Sequence, residues 1–329
     1  MKKQRLLQIG LAILLVLVLS VAAQEPDKVD ATDRDDHGTP PNVNAIALLR
    51  WYPANQTTKF PVGAGPTGIA FDGANMWVAN AKKNIVTKLR ASDGKVLMRL
   101  RVEGSPINVV FDGANVWVSK QNKASVTKLR ASDGEMLGNF AVGNTPTGLA
   151  FDGSNIWVAN FEGATLSKLR ASDGKVLGTF VVGDNPWLLA FDGANIWVTT
   201  YLSTNVTKVR ASDGKVLSTF VVGYDPIGIA FDGTNIWVAA NSGNVVTKLR
   251  ARDGKVLDTI TGFSNPFGVI FDGASIWVTN YGGNSVTKVR TQDGKVIGTF
   301  PTGPFPSSLA FDGANVWVTN YGSDTVSKM

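Results

Sequence analysis

The chain holds a single histidine, His37, and no cysteine, so it has no disulfide framework, no thiolate metal site and no thiol for lipid attachment. Nothing in the residues suggests a paired-carboxylate site or an activated nucleophile. Glu162 and Asp184 sit in neighbouring variable segments and are the one pair that could act as acid and base; surface charge is the simpler account of both. Seven Phe-Asp-Gly turns, as in Asp72-Gly73-Ala74-Asn75, lack the alternating carboxylates of a calcium loop and read as turn chemistry. A recurring Lys-Leu-Arg, as at Lys168 and Arg170, lies beside acids of the Asp173 type and reads as a solvated outer edge, not a nucleic-acid surface. For a quinone-type cofactor only Lys120 and Trp187 are pointers, and the expectation is no cofactor and no metal. The remaining candidates are aromatic: Phe161, Trp187, Tyr201, Tyr224, Phe267, Tyr281, Phe305 and Tyr321, with Lys120 beside them, are expected to bind a ligand.

A strict repeat positions these residues. Phe-Asp-Gly begins at Phe71, Phe111, Phe151, Phe191, Phe231, Phe271 and Phe311, always 40 residues apart, and Trp-Val follows six residues later from Trp77 to Trp317. A proline precedes each unit, from Pro66 to Pro306. A period near 40 with several β-rich runs per unit is the pattern of propeller blades. In one unit the expected strands are Gly148 to Phe151, Ile156 to Asn160, Thr165 to Arg170 and Lys175 to Val182, with Asp-Gly turns after the first and third. No segment keeps a 3.6-residue apolar period, which excludes a helical solenoid. The expected fold is all-β: a seven-bladed β-propeller of four-stranded blades over 45–329.

The last unit stops at Met329, inside its third strand. Ala47 to Gly63 aligns without a gap on Ser167 to Gly183, placing Phe60 on Phe180, so Thr57 to Val62 is expected to complete the last blade. Ile46 to Arg50 then duplicates a third strand already supplied. Ahead of it, Lys2, Lys3 and Arg5 precede an apolar run from Leu11 to Leu19 and the small residues Val21-Ala22-Ala23, which reads as a signal peptide over 1–23 cleaved before Gln24, with an uncleaved anchor as the alternative. Residues 24–44 carry six acids against Lys28 and Arg34 and read as a disordered linker. A periplasmic or secreted bacterial protein follows, with no membrane contact after cleavage.

Trp-Val-Thr-Asn-Tyr-Gly at Trp277 and Trp317, and Trp-Val-Ala-Asn at Trp77 and Trp157, resemble the YVTN repeat of bacterial exported propellers. Gly143-Asn144-Thr145-Pro146-Thr147-Gly148 is similar to that family's Gly-x-x-Pro-x-Gly segment. Lys120, Thr200 and Ala240 depart from it where the family has Asn. The streptogramin lyases are a related family, and resemblance to them implies histidine and acidic residues around magnesium on one face.

Comparing the seven units shows two connections nearly constant and two variable. Alternating hairpins place the variable pair on one face, which carries the aromatic candidates above with Phe263, and Lys82, Lys83, Gln121, Asp225 and Asp324 among them. The expected function is a monomeric, non-enzymatic binding propeller recognising a protein, peptide or envelope glycan through that face, without nucleic-acid contact. The alternatives are a metal-assisted lyase or hydrolase working from the same face, and a purely structural module.

Overall fold

The computed structural model describes residues 58–329. The signal segment, the acidic linker with His37, and the duplicate segment Ile46 to Arg50 lie outside the described residues.

The first six repeat units each fold as four short antiparallel strands in chain order, the seventh supplies three, and seven four-stranded sheets form a β-propeller. Blade 1 begins at Pro66 and each later blade 40 residues on. In blade 3 the strands are Pro146–Phe151, Asn155–Asn160, Thr165–Arg170 and Val176–Val181. The first strand starts two residues before its expected start. An irregularity between Pro146 and Leu149 breaks the alternation that marks a strand in sequence. The one helical element among the described residues is a 3-10 turn, Ala81–Lys83. First strands of successive blades touch one another and line the central channel. Glycine is required there: a Cβ on Gly148 would lie 2.4 Å from the Trp187 carbonyl of the next blade, and one on Gly228 would lie 2.2 Å from that of Phe267.

Blade 7 is closed by the N-terminal strand. Thr58–Pro61 pairs with Thr325–Lys328, which continues to Val316–Asn320 and Pro306–Phe311. Phe60 lies opposite Val326 and stacks on Trp317 at 5.5 Å, as Phe180 lies opposite Leu166 against Trp157 at 5.5 Å. Over Thr58–Pro61 the gapless alignment of the two segments therefore describes a real equivalence of place.

The repeated tryptophans are core: Trp77, Trp117, Trp157, Trp197, Trp237 and Trp317 are fully buried. Each needs a partner for its indole N–H, and the aspartate of its own turn supplies it. Asp192 Oδ1 accepts the backbone N–H groups of Ala194 and Asn195, while Oδ2 accepts Trp197 Nε1 at 2.7 Å. One carboxylate thus shapes the turn and anchors the ring. Burial pushes the Asp192 carboxyl up, but these hydrogen bonds outweigh it and hold the group below the ordinary carboxylate range.

The lysines of the third strands correct the expected solvated edge. Lys88, Lys128 and Lys208 are 4–7% exposed. Each ammonium lies over its own blade's tryptophan, 5.0–5.2 Å from the ring, and donates to a turn carbonyl of the next blade. Lys208 Nζ reaches Ala251 O at 2.6 Å, and Lys328 Nζ crosses the closure to Ala91 O at 2.8 Å. The sequence pattern missed this because a lysine stem packs like an aliphatic chain once its head finds carbonyls. Lys288 departs: its Nζ lies 3.4 Å from Asp272 Oδ2 in its own blade. The arginines two residues on do remain at the rim, as Arg170 pairs with Asp173 at 3.0 Å with both half-exposed.

Candidate functional site

The two kinds of connection separate onto opposite faces. On one face the turn after the third strand ties to the turn after the first, as Ala211 N–H donates to Ala194 O. On the other, the residue before each proline is left-handed, from Gly65 at φ 65° through Asn185 at 54° to Phe305 at 54°. Its carbonyl accepts the N–H of the first residue after the second strand: Phe161 to Thr145, Tyr201 to Asn185, Tyr281 to Asn265, Tyr321 to Phe305. This bond recurs in all seven blades and fixes two side-chain positions around the channel mouth. One follows the proline and the other follows the second strand. The sequence fills them unevenly: Trp187 with Tyr201 in blade 4 and Phe267 with Tyr281 in blade 6 are doubly aromatic, whereas blade 1 has Thr67 with Ala81.

Two aromatic arms result. Trp187 lies 5.5 Å from both Phe161 and Tyr201, edge-on to the first and tilted to the second. Tyr281 stacks between Phe267 at 5.5 Å and Phe305 at 5.1 Å. Between the arms, a cavity of about 230 Å³ opens at the channel mouth. Its wall is mainly apolar, from Ile107, Trp187, Leu188, Phe267, Tyr281 and Tyr321, with small polar groups from Thr67, Asn108, Thr147, Ser307 and Ser308. At its rim, the Lys82 ammonium stands 4.2 Å from the Tyr321 ring centroid and makes no ion pair among the described residues. Burial raises the Tyr281 phenol, the Tyr321 hydroxyl adds to this, and Lys82 opposes it, which brings all three groups into one electrostatic neighbourhood.

Of the expected ligand residues, Trp187, Phe267, Tyr281 and Tyr321 line the cavity. Phe161, Tyr201 and Phe305 form the arms behind them, with Phe305 largely exposed. Tyr224 is 68% exposed and stands apart from both arms. Lys120 is inside blade 2, 7% exposed, with Nζ donating to Asn139 Oδ1 at 2.5 Å, and burial pushes its ammonium pKa down. It takes the place that Asn80, Asn160, Asn280 and Asn320 hold in other blades. Phe263, read as a face residue, is buried among Val246, Ile276 and Val278. It follows Gly262, where the preceding unit has Val222, and its ring fills the room the missing valine leaves.

Glu162 and Asp184 are both exposed and share no hydrogen bond or ion pair. Among the described residues no three acidic or histidine side chains converge as a metal-ligand set. The cavity floor was not legible in sequence, because Thr67, Asn108, Thr147 and Ser308 look like ordinary strand residues until the ring brings them together.

With this geometry in place, comparison with known proteins bears on fold. A family model described as outer membrane protein assembly factor BamB matches residues 148–308, just under half of the chain. No curated protein sequence matches. A streptogramin B lyase structure is similar with a TM-score of 0.73 at 17% identity, over 83% of this chain and 96% of that one. A catalytically inactive virginiamycin B lyase of Staphylococcus aureus, crystallised with quinupristin, gives 0.72 at 18% identity over 83% and 98%. The hydrazine synthase of Kuenenia stuttgartiensis gives 0.72 at 20% identity over 80% and 95%. At these identities the likeness is one of fold: the chain is a seven-bladed propeller with BamB-like and streptogramin-lyase-like neighbours.

Proposed function

We propose that this chain is an exported, non-enzymatic binding propeller that takes an apolar side chain or ring of a protein or peptide partner into the channel mouth. The observation that supports this most is the 230 Å³ apolar cavity held between Trp187 and the Phe267–Tyr281 stack. A preformed concave site with rigid aromatic walls binds at low ordering cost, since each ring has few rotamers to lose. The walls stand on strands and on a bond repeated in every blade, so the site does not need to assemble around its ligand. The exposed Lys82 and the small polar floor groups would orient what enters. The basic and apolar N-terminal residues, read as an export signal, support a periplasmic or secreted address.

The test uses the apolar dye N-phenylnaphthylamine as a probe of the cavity, with a pull-down from envelope and culture fractions beside it. Wild type should enhance the dye's fluorescence and retain a partner. A Trp187→Ala, Tyr281→Ala variant of equal thermal stability should do neither. Equal dye binding by both proteins would sink the assignment of this site.

A further inference from the structure

Four blades place one asparagine in the gap between the end of the second strand and the connection entering the blade, although the Oδ1 of Asn160, unlike the other three, has no hydrogen-bond partner among the described residues. Asn80, Asn160, Asn280 and Asn320 are at most 4% exposed. Their Nδ2 groups donate to a third-strand hydroxyl, such as Thr87 for Asn80 and Ser327 for Asn320. The Oδ1 atoms of Asn80 and Asn320 accept the N–H groups of Gly63 and Gly303 at 2.9 and 3.0 Å, holding the connection down.

The three blades without this asparagine differ in what replaces it. Lys120 fills the gap in blade 2. In blade 5 the gap collapses, since Ala240 is fully buried and a Cβ on Gly223 would meet the Ala240 Cβ at 2.9 Å. In blade 4 it stays open. Thr200 is only partly buried, and Gly183, at φ 105°, would carry a Cβ with nothing within 4 Å. The following loop is rebuilt too: its left-handed residue is Leu202 at φ 58°, where blades 3 and 5 use the residue two places later, Ala164 and Asn244. A crevice of about 390 Å³ remains, within the ~300–1,000 Å³ range of small-molecule sites.

We infer that this blade-4 crevice is a second subsite, separate from the mouth cavity, that binds a neutral saccharide ring. Its wall is dense in hydroxyls and amides from Asn185, Thr200, Ser203, Asn205 and Thr207. The one ionisable acid lining it is Asp184, exposed and without an ion pair among the described residues. A carboxylate beside side-chain amides meets adjacent sugar hydroxyls with an acceptor and a donor at once. An anion would be repelled by Asp184, and a cation would find only that single charge. Ser203 and Thr207 already spend their hydroxyls on Thr200 O and Thr219, so an apolar peptide side chain would leave chiefly Asp184, the Thr200 hydroxyl and the Asn185 and Asn205 amides unpaired. Tyr201 forms one wall and lies against Trp187 at 5.5 Å, giving the C–H face of a sugar ring an aromatic surface continuous with the mouth.

The test is calorimetric titration of the whole protein with maltose, cellobiose, lactose and diacetylchitobiose, with N-phenylnaphthylamine as the separate probe of the mouth. At least one disaccharide should bind with a Kd on the order of 1 mM. Thr200→Asn, which puts the asparagine of four sister blades into the gap, should weaken that binding at least ~10-fold and leave dye binding and melting temperature unchanged. Should that variant fold poorly, Asp184→Ala and Asn205→Ala must each weaken sugar binding with the dye unaffected. The inference is overturned if none of the four sugars binds, or if sugar affinity is indifferent to Thr200→Asn or, where that variant folds poorly, to Asp184→Ala and Asn205→Ala. Loss of dye binding with sugar binding kept would instead strike the mouth reading alone.

Discussion

The Lys82 ammonium of blade 1 stands 4.2 Å from the centre of the Tyr321 ring on blade 7, across the junction where the first and last blades meet. The lysine stem lies over Gly65, where any Cβ would come within 2.8 Å of it. The contact therefore depends on a glycine in one connection and an aromatic residue in another, and it puts a cation at the rim of an apolar cavity.

This arrangement predicts a titration. Burial first, then Tyr321, raise the Tyr281 phenol above its ordinary 10.0, while Lys82 pulls it down. Lys82→Met should raise it further, read as a higher midpoint of tyrosinate absorbance that Tyr281→Phe abolishes. A pKa raised by folding stabilises fully below the unfolded value and is lost as pH rises through the folded one. The Tyr281 contribution should therefore fade only in alkali above pH 10.0.

Two tryptophans only ten residues apart should behave oppositely. Trp197→Ala removes a fully buried ring and should cost ~3–5 kcal/mol in denaturant unfolding. Trp187→Ala, at the mouth, should abolish dye binding while shifting stability by less than ~1 kcal/mol. Comparable stability losses in the two would mean that Trp187 is core.

Asp192→Ala should leave Trp197 Nε1 without its acceptor and cost ~1–3 kcal/mol. Acid should act in the same direction. Folding lowers the carboxyls of Asp72, Asp152, Asp192, Asp232, Asp272 and Asp312, so their stabilisation is present above 3.8 and lost as pH falls below it. Asp253 and Asp293, held to about 2 by hydrogen bonds from Arg250 and Arg290, extend that window downward, though salt should weaken these exposed pairs. Equilibrium unfolding followed between pH 5 and pH 2 by near-ultraviolet dichroism, which reports on the buried indoles, checks the direction.

Lys208→Met should cost ~1–3 kcal/mol, because Ala251 O and Arg252 O lose their donor inside the blade junction. Lys288→Met should cost only ~0–1 kcal/mol, since its head meets Asp272 in a partly exposed pair. Urea midpoints of the two variants give the comparison directly.

The blades were legible because turn residues and tryptophans recur at fixed spacing and each has a local cause. Phe60 could be placed in blade 7 from alignment alone, since its neighbours repeat those of Phe180. The third-strand lysines were misread because the acceptor of Lys208 lies 43 residues away on another blade, and spacing within one unit cannot show it. The mouth was half legible. Trp187 and Tyr281 stood out as aromatics in variable connections, but so did Phe263, and only the neighbouring Gly262 reveals that its ring turns inward. The crevice of blade 4 shows in sequence as one substitution, Thr200 for Asn. Whether that gap is filled, as at Lys120, collapsed, as at Ala240, or open depends on the facing connection.

The strand Thr58–Pro61 also sets an order of events. Among the described strands it is synthesised first and its partner Thr325–Lys328 last; Gly65, just beyond it, bonds to Asp324 at a separation of 259 residues. At ~5–20 residues per second that wait is on the order of 10–50 s. Blades 1 to 6 are each contiguous in the chain and can form from local segments, whereas the seventh must capture a strand from its far end. Until then the nascent arc keeps an open sheet edge at blade 7 and an uncovered flank at blade 1, both open to pairing with other chains. Dilution or a chaperone holding Phe60 should therefore matter more to the yield of native rings than to their final stability.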